Sequence, residues 1–197
     1  MAVFVTPTNL DETVARWVVD NRSEPWITVA HVVTVTGNTL PMALVTLAVV
    51  IVLAVRRYTV DAVFLGAGAL IGYLLMVGLK HLFRRPRPPE VNRLVDIDTF
   101  SFPSGHSMMS MVIFGLLAIV AYRHVDWVRR HRWVLLIAPL WSIAIGCTRI
   151  YLGVHWTTDV LAGWLLGAAW VGLCALALVW FESSRRDLDV RVGRTAT

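Results

Sequence analysis

The chain has 197 residues, of which 57% are hydrophobic and only 16% charged, and its mean hydropathy is +0.65. A soluble domain carries about 45–50% apolar and about 25% charged residues, so this composition excludes an ordinary soluble fold and indicates a one-domain membrane protein. The net charge of +5 is nearly all arginine, with Lys80 the only lysine, and it falls in short clusters between apolar runs, which argues for membrane-flanking loops and against a nucleic-acid partner.

From the N-terminus, Met1–Asn9 lacks a basic region followed by an apolar core, so the first span is expected to act as its own insertion signal. Leu10, Val14, Trp17 and Val18 then recur at helical spacing, with Asp11, Glu12, Arg16 and Asp20 between them. This pattern predicts an amphipathic helix in the interface, with Asn9 and Glu12 in the positions of a capping box. Trp26–Val35 is apolar but too short to span, and is expected to be interfacial or re-entrant.

Five stretches approach the roughly 20 apolar residues a span requires. They are Thr39–Val55, Val60–Leu79, Ser107–Tyr122, Trp133–Thr148 and Thr157–Phe181. Small residues, as in Gly66–Ala69 and from Gly163 to Ala169, allow helices to approach closely. The predicted fold is all-α, a polytopic helical membrane bundle of five spans plus an N-terminal amphipathic or re-entrant segment. Its divisions are 1–38 for the interfacial segment, 39–181 for the membrane domain, and 182–197 for a polar cytoplasmic tail, poorly ordered at its end. Cys147 and Cys174 lie inside apolar stretches and suggest neither a disulfide framework nor a metal knuckle.

Loop arginines give an orientation. Arg56, Arg57, the cluster from Arg123 to Arg132 and the tail arginines share one side and outnumber those on the other. The positive-inside rule makes that side cytoplasmic, and the 80–103 loop then faces outward.

The outward side gathers the polar residues. Lys80 ends the second span, Arg87-Pro88 follows, and Pro103-Ser104-Gly105-His106 opens the third. Arg149 ends the fourth span, and His155 and Asp159 open the fifth. Three fixed cations, Lys80, Arg87 and Arg149, suit a phosphate dianion. Ser104 and Gly105 stand at a helix N-terminus, where backbone amides favour an anion. His155 and Asp159 are four apart, on one helix face, and a carboxylate on one ring nitrogen leaves the other as a nucleophile. His106 is the candidate general acid for the leaving group.

These three segments resemble the signature of the type-2 phosphatidic acid phosphatase superfamily: Lys, six residues, Arg-Pro; Pro-Ser-Gly-His; and Ser-Arg, five residues, His, three residues, Asp. The resemblance implies a six-helix membrane core with an extracytoplasmic site in the plasma membrane and a phosphohistidine formed on His155 with support from Asp159. It also implies that His106 acts as acid and that Lys80, Arg87, Ser104, Gly105 and Arg149 hold the phosphate. No metal or other cofactor is implied. The substrate would be a lipid phosphate, such as a polyprenyl pyrophosphate, phosphatidylglycerol phosphate or phosphatidate. Thr148 stands where the family pattern has serine, and the family's first span is indistinct. A second Arg-Pro, Arg85-Pro86, has the wrong spacing from Lys80 and is expected to have a supporting role at most.

Other polar residues read as structural. His81 is expected at most to line the pocket, Asp61 to cap its helix, and His124 and His131 to lie at the membrane surface. Trp17, Trp26, Trp127, Trp133 and Trp156 fit interfacial belts. A transporter or non-catalytic anion-binding protein is the competing class, but charges in the middle of spans, which mark a pathway, are nearly absent. A lipid phosphotransferase would use the same residues, and the oligomeric state is left open.

Overall fold

The computed structural model describes residues 6–195, with side chains described through Arg186. It is all-helical: α1 Asn9–Asp20, α2 Glu24–Val35, α3 Thr39–Val55, α4 Thr59–Phe83, α5 Gly105–His124, α6 Asp126–Arg130, α7 Ile137–Tyr151 and α8 Thr157–Thr195. Among the described residues five stretches are long and apolar enough to cross a bilayer: Glu24–Val55, Thr59–Phe83, Gly105–His124, Arg132–Tyr151 and Thr157–Arg186. The chain is therefore a multi-pass membrane protein, as its pattern of apolar runs predicts. Leu44, Leu47, Ile51, Leu70, Leu74, Leu165 and Leu176 stand exposed, as lipid-facing residues do. The segment 182–195 continues α8 as helix, and the last two residues lie outside the described part.

α5 is the central helix, packed by α4, α7 and α8. Leu65, Met108, Val112 and Leu116 form the enclosed core where these helices meet. Gly163 of α8 explains how closely α8 approaches α5: a Cβ there would lie 2.9 Å from the Ser104 carbonyl oxygen. Without a hydrophobic driving force inside lipid, such close packing is what holds spans together.

The N-terminal region departs from expectation in two respects. The capping box of α1 is Thr8 with Asp11, one residue earlier than Asn9 with Glu12. Asp11 also does not belong to a solvated face, for it is fully buried against α8. The apolar Glu24–Val55 stretch is broken by a turn at Thr36–Asn38, so α2 and α3 are separate helices. Gly37 is required at this joint, because a Cβ would meet Ile145 at 2.6 Å and the His106 ring at 3.1 Å. Arg22 bonds the carbonyls of Tyr151 (3.0 Å) and Asn92 (2.8 Å), which anchors the start of α2 beside the end of α7.

At the other end of the bundle Asp61 is not a helix cap; the N-cap of α4 is Tyr58. Asp61 accepts hydrogen bonds from Arg123 Nε (2.6 Å) and pairs with His124 Nε2 (3.0 Å), while Arg123 also reaches Glu182. This cluster ties α4, α5 and α8 together.

Candidate active site

Helix ends bring the sequence-predicted residues together at one end of the bundle. Lys80 lies in the last turn of α4, Ser104 caps α5, Gly105 and His106 open it, Arg149 lies in the last turn of α7, and Asp159 lies in the first turn of α8. Arg87 comes from the α4–α5 loop and His155 from the short α7–α8 connection. The backbone amides of Val154 and His155 donate to the Arg149 carbonyl (3.2 and 3.3 Å), so the chain turns sharply back toward α8. Gly153, at φ +71°, makes that turn possible.

Lys80, Arg87, Gly105, His106, Arg149 and His155 line one cavity of about 930 Å³. Each cation is aimed by protein oxygens. Lys80 Nζ donates to the Phe100 carbonyl (2.6 Å). Arg87 donates to the carbonyls of Thr99 (2.6 Å) and Val154 (2.6 Å). Arg149 Nη1 donates to Thr34 Oγ1 (2.7 Å), while its buried Nε has no protein partner. Burial draws the Arg87 guanidinium down to about 10, which leaves it cationic at neutral pH. Among the described residues no carboxylate forms an ion pair with Lys80, Arg87 or Arg149, and Asp98 is the one acidic residue that lines the cavity with them.

Ser104 and Asp159 lie behind the cavity wall. The Ser104 hydroxyl accepts from the Ser107 amide (3.4 Å) and the Ser107 hydroxyl (3.0 Å), so it is engaged in capping. Gly105 and His106, the first residues of that helix, face the cavity and bring the positive end of the helix dipole to it. His106 Nε2 bonds Asn38 Oδ1 (2.9 Å) at the α2–α3 joint.

His155 is almost fully buried, and its two ring nitrogens face different partners. Nε2 lies 3.1 Å from Arg87 Nη1. A guanidinium can only donate, so Nε2 is the acceptor and Nδ1 carries the proton. Nδ1 lies 3.4 Å from Ser101 Oγ and 3.5 Å from Asp159 Oδ2. Burial first, then the positive charges of Arg87, Lys80 and Arg149, hold the His155 ring well below its ordinary value of 6.5, so it is neutral at physiological pH. A neutral imidazole whose Nε2 lone pair faces the cavity, where it accepts from Arg87, can serve as a nucleophile once an incoming anion takes over that guanidinium.

Asp159 is more heavily engaged than the sequence suggests. Its Oδ2 accepts from the Ser101 hydroxyl and from the Trp156 amide (2.9 Å), and its Oδ1 accepts from Arg85 Nη1 (2.5 Å). Arg85, given a supporting role at most by its spacing, is fully buried and bridges Asp159 to Asp11, whose Oδ2 lies 2.8 Å from Nη2. Burial alone would raise the Asp11 carboxyl, but hydrogen bonds from Thr8, Thr158 and Arg85 outweigh it and lower the value below the ordinary one. Trp156 is not a belt residue: it is buried, donates to the Pro86 carbonyl (2.9 Å) and lies against the Arg85 guanidinium. Asp11, Arg85 and Ser101 are the residues a sequence reading misses, and the adjoining Arg-Pro pairs are the one hint of Arg85. His81 lies at the cavity edge, as expected.

Curated proteins similar to this chain include phosphatidylglycerophosphatase B of Bacillus subtilis, 40% identical over 48% of this chain and 46% of that protein. They also include the undecaprenyl-diphosphatase of Sulfolobus acidocaldarius, 29% identical over 40% of this chain and 34% of that protein. A third is the decaprenylphosphoryl-5-phosphoribose phosphatase of Mycobacterium tuberculosis, 33% identical over 52% and 53%. The matched stretch thus spans about half or less of these relatives. The crystal structure of a transmembrane PAP2-type phosphatidylglycerolphosphate phosphatase from Bacillus subtilis superposes with a TM-score of 0.79 at 28% identity, covering 88% of this chain and 85% of that one. Aquifex aeolicus LpxE, at 24% identity and a TM-score of 0.69, shares the fold. Residues 61–183 match the PAP2 superfamily, which takes in Lys80 through Asp159, and the chain belongs to that family.

Proposed function

We propose that this protein is a lipid phosphate phosphatase that works through a phosphohistidine on His155. The observation that carries the reading is the composition of the cavity that His155 lines. At one end it has His155 Nε2 and three cations; from there it runs between α3 and α4 past Met42, Thr46, Val50, Leu70 and Tyr73. From Thr39 to Val50 the groove follows α3 for roughly 17 Å at 1.5 Å per residue, about half of a ~30 Å hydrocarbon core. A phosphate at the polar end leaves its lipid chain in the apolar part.

In the first step Nε2 attacks phosphorus, the bond from phosphorus to the lipid oxygen breaks, and His106 gives that oxygen a proton. In the second, water attacks the phosphohistidine, His106 accepts a proton from the water, and inorganic phosphate leaves with Nε2 restored. Lys80, Arg87 and Arg149, with the α5 amides, stabilise charge on the phosphoryl oxygens in both steps. Asp159, 3.5 Å from Nδ1 and bonded to Ser101 beside it, offsets positive charge on the ring while the N–P bond exists. A pyrophosphate substrate fits the same scheme with lipid phosphate as leaving group, which needs less help from His106.

The arginine-rich loops at the opposite end support a cytoplasmic location for that end, and hence an extracytoplasmic site. Recycling of an outward-facing polyprenyl pyrophosphate carrier is the first assignment under this orientation, followed by phosphatidylglycerol phosphate and phosphatidate. The test is inorganic phosphate release in detergent, with a chelator present, from each of these lipids. Release that survives the chelator and disappears in His155→Ala is expected, and the ranking of rates names the substrate. Release by His155→Ala at the parent rate, or none from any lipid by the parent, overturns the reading.

A further inference from the structure

We propose that Asp11, on the N-terminal helix, is a positioning residue of the catalytic centre: through Arg85 it sets which oxygen of Asp159 is left for His155. The inference rests on the nucleophilic role of His155 proposed above. Asp11 lies nearly 150 positions before Asp159 in the chain, in a helix whose sequence marks it as an interfacial accessory.

The geometry is a relay of fully buried groups. Asp11 Oδ2 accepts from Arg85 Nη2 at 2.8 Å, and Arg85 Nη1 donates to Asp159 Oδ1 at 2.5 Å. Thr158 closes the arrangement: its amide donates to Asp11 Oδ1 (2.8 Å), and its hydroxyl lies 2.7 Å from Arg85 Nη1. With its two terminal nitrogens assigned to different carboxylates, the guanidinium takes only one oxygen of Asp159. The other, Oδ2, stays with Ser101, the Trp156 amide and the His155 ring.

Removing the Asp11 charge changes that division. A buried guanidinium with one remaining carboxylate moves toward a two-pronged grip on it, the preferred arginine–carboxylate geometry. Oδ2 is then drawn from Ser101 and from the Nδ1 face of His155, the Ser101–Asp159 pair that holds that face shifts, and Nε2 loses its aim at phosphorus. The three cations of the cavity touch neither Asp11 nor Arg85, so phosphate binding itself is untouched.

Orthovanadate and inorganic phosphate separate these effects. Phosphate is held by the cations, whereas vanadate readily becomes five-coordinate and takes its fifth ligand from an aligned nucleophile. Binding of both is measured on the full chain in detergent for the parent, Asp11→Asn, Asp11→Glu and Glu12→Gln. Asp11→Asn is expected to weaken vanadate about tenfold or more with phosphate nearly unchanged, the scale on which small misplacements of a reacting group are felt. On a lipid substrate it should lower kcat and leave KM in place. Asp11→Glu should recover most of the loss. Glu12→Gln, which removes the exposed acidic charge next to Asp11 in the same turn of α1 but leaves the Arg85 pair, should behave as the parent. Parent-like vanadate affinity in Asp11→Asn, or equal losses in Glu12→Gln and Asp11→Asn, overturns the proposal. If Asp11→Asn also loses phosphate binding and so fails to fold, Arg85→Lys decides. An ammonium cannot divide two carboxylates as a fork does, so vanadate should again weaken selectively, and unchanged vanadate overturns the proposal. A parent that binds vanadate but hydrolyses no lipid defeats the phosphatase reading and leaves the vanadate comparison to judge this one.

Discussion

Each end of the bundle holds a cluster of arginines and carboxylates, and the two clusters are built differently. At the opposite end, Asp61, Arg123, His124 and Glu182 satisfy one another across α4, α5 and α8. At the site end, Arg85 is similarly paired with Asp11 and Asp159, but a second layer of positive charge, from Lys80, Arg87 and Arg149, faces the cavity with no carboxylate in ion-pair contact among the described residues, although Asp98 also lines the cavity. Charges that satisfy one another hold helices together. Charges that converge on a cavity without an ion-pair partner are the arrangement an anion would satisfy, and this is the basis of the proposed phosphate site.

Substitutions that touch the second layer should therefore affect chemistry, and those at the opposite end should affect stability. The largest effect is expected from His155→Ala, which should reduce phosphate release to background while the protein still binds inorganic phosphate. His106→Ala should slow turnover by about 10²–10⁴-fold on a phosphomonoester with an alkoxide leaving group and much less on a pyrophosphate, as measured by comparing kcat on the two. Arg149→Ala should lower kcat by about 10²–10³-fold and raise KM as well, because it removes a group that meets phosphate in both ground and transition states.

The pH profile sharpens the same contrast. Because His155 is held below 6.5, the neutral nucleophile persists as pH falls, and the acid limb of kcat/KM should lie below that value. Arg87 is the nearest of the cations that lower it; Arg87→Ala removes that charge and should shift the limb to higher pH, whereas Arg87→Lys should shift it less. The smallest effect on activity is expected from Asp61→Asn, at the opposite end. It leaves Arg123 with one carboxylate, so the thermal midpoint should fall by several degrees while specific activity stays within about twofold of the parent.

Sequence and structure agree where the information is local. Apolar length marks the spans, and α3 spans Thr39–Val55 in both. Lys80, Arg87, His106, Arg149 and His155, which line one cavity, stand out in the sequence because each lies at or just beyond a span end, where a polar residue contrasts with its apolar neighbours. Asp11 does not, since an acidic residue in the first turn of an amphipathic helix looks like a solvated one, and only the docking of α1 onto α8 buries it. Arg85 was discounted on spacing, although spacing along the chain says nothing about the direction in which a guanidinium turns after a left-handed residue such as Arg84. Ser101 lies in a loop with no periodic signal, and its role emerges only when its hydroxyl meets Asp159.

The central claim is the covalent role of His155, and trapping the intermediate tests it most directly. Purified protein is mixed with a lipid carrying a radiolabelled phosphate, quenched in alkali within one turnover, and the label mapped to a residue. The account predicts label on His155 that withstands alkali, is released by acid and is missing from His155→Ala. Label on another residue, or rapid single-turnover phosphate release with no labelled protein at any time, would contradict it.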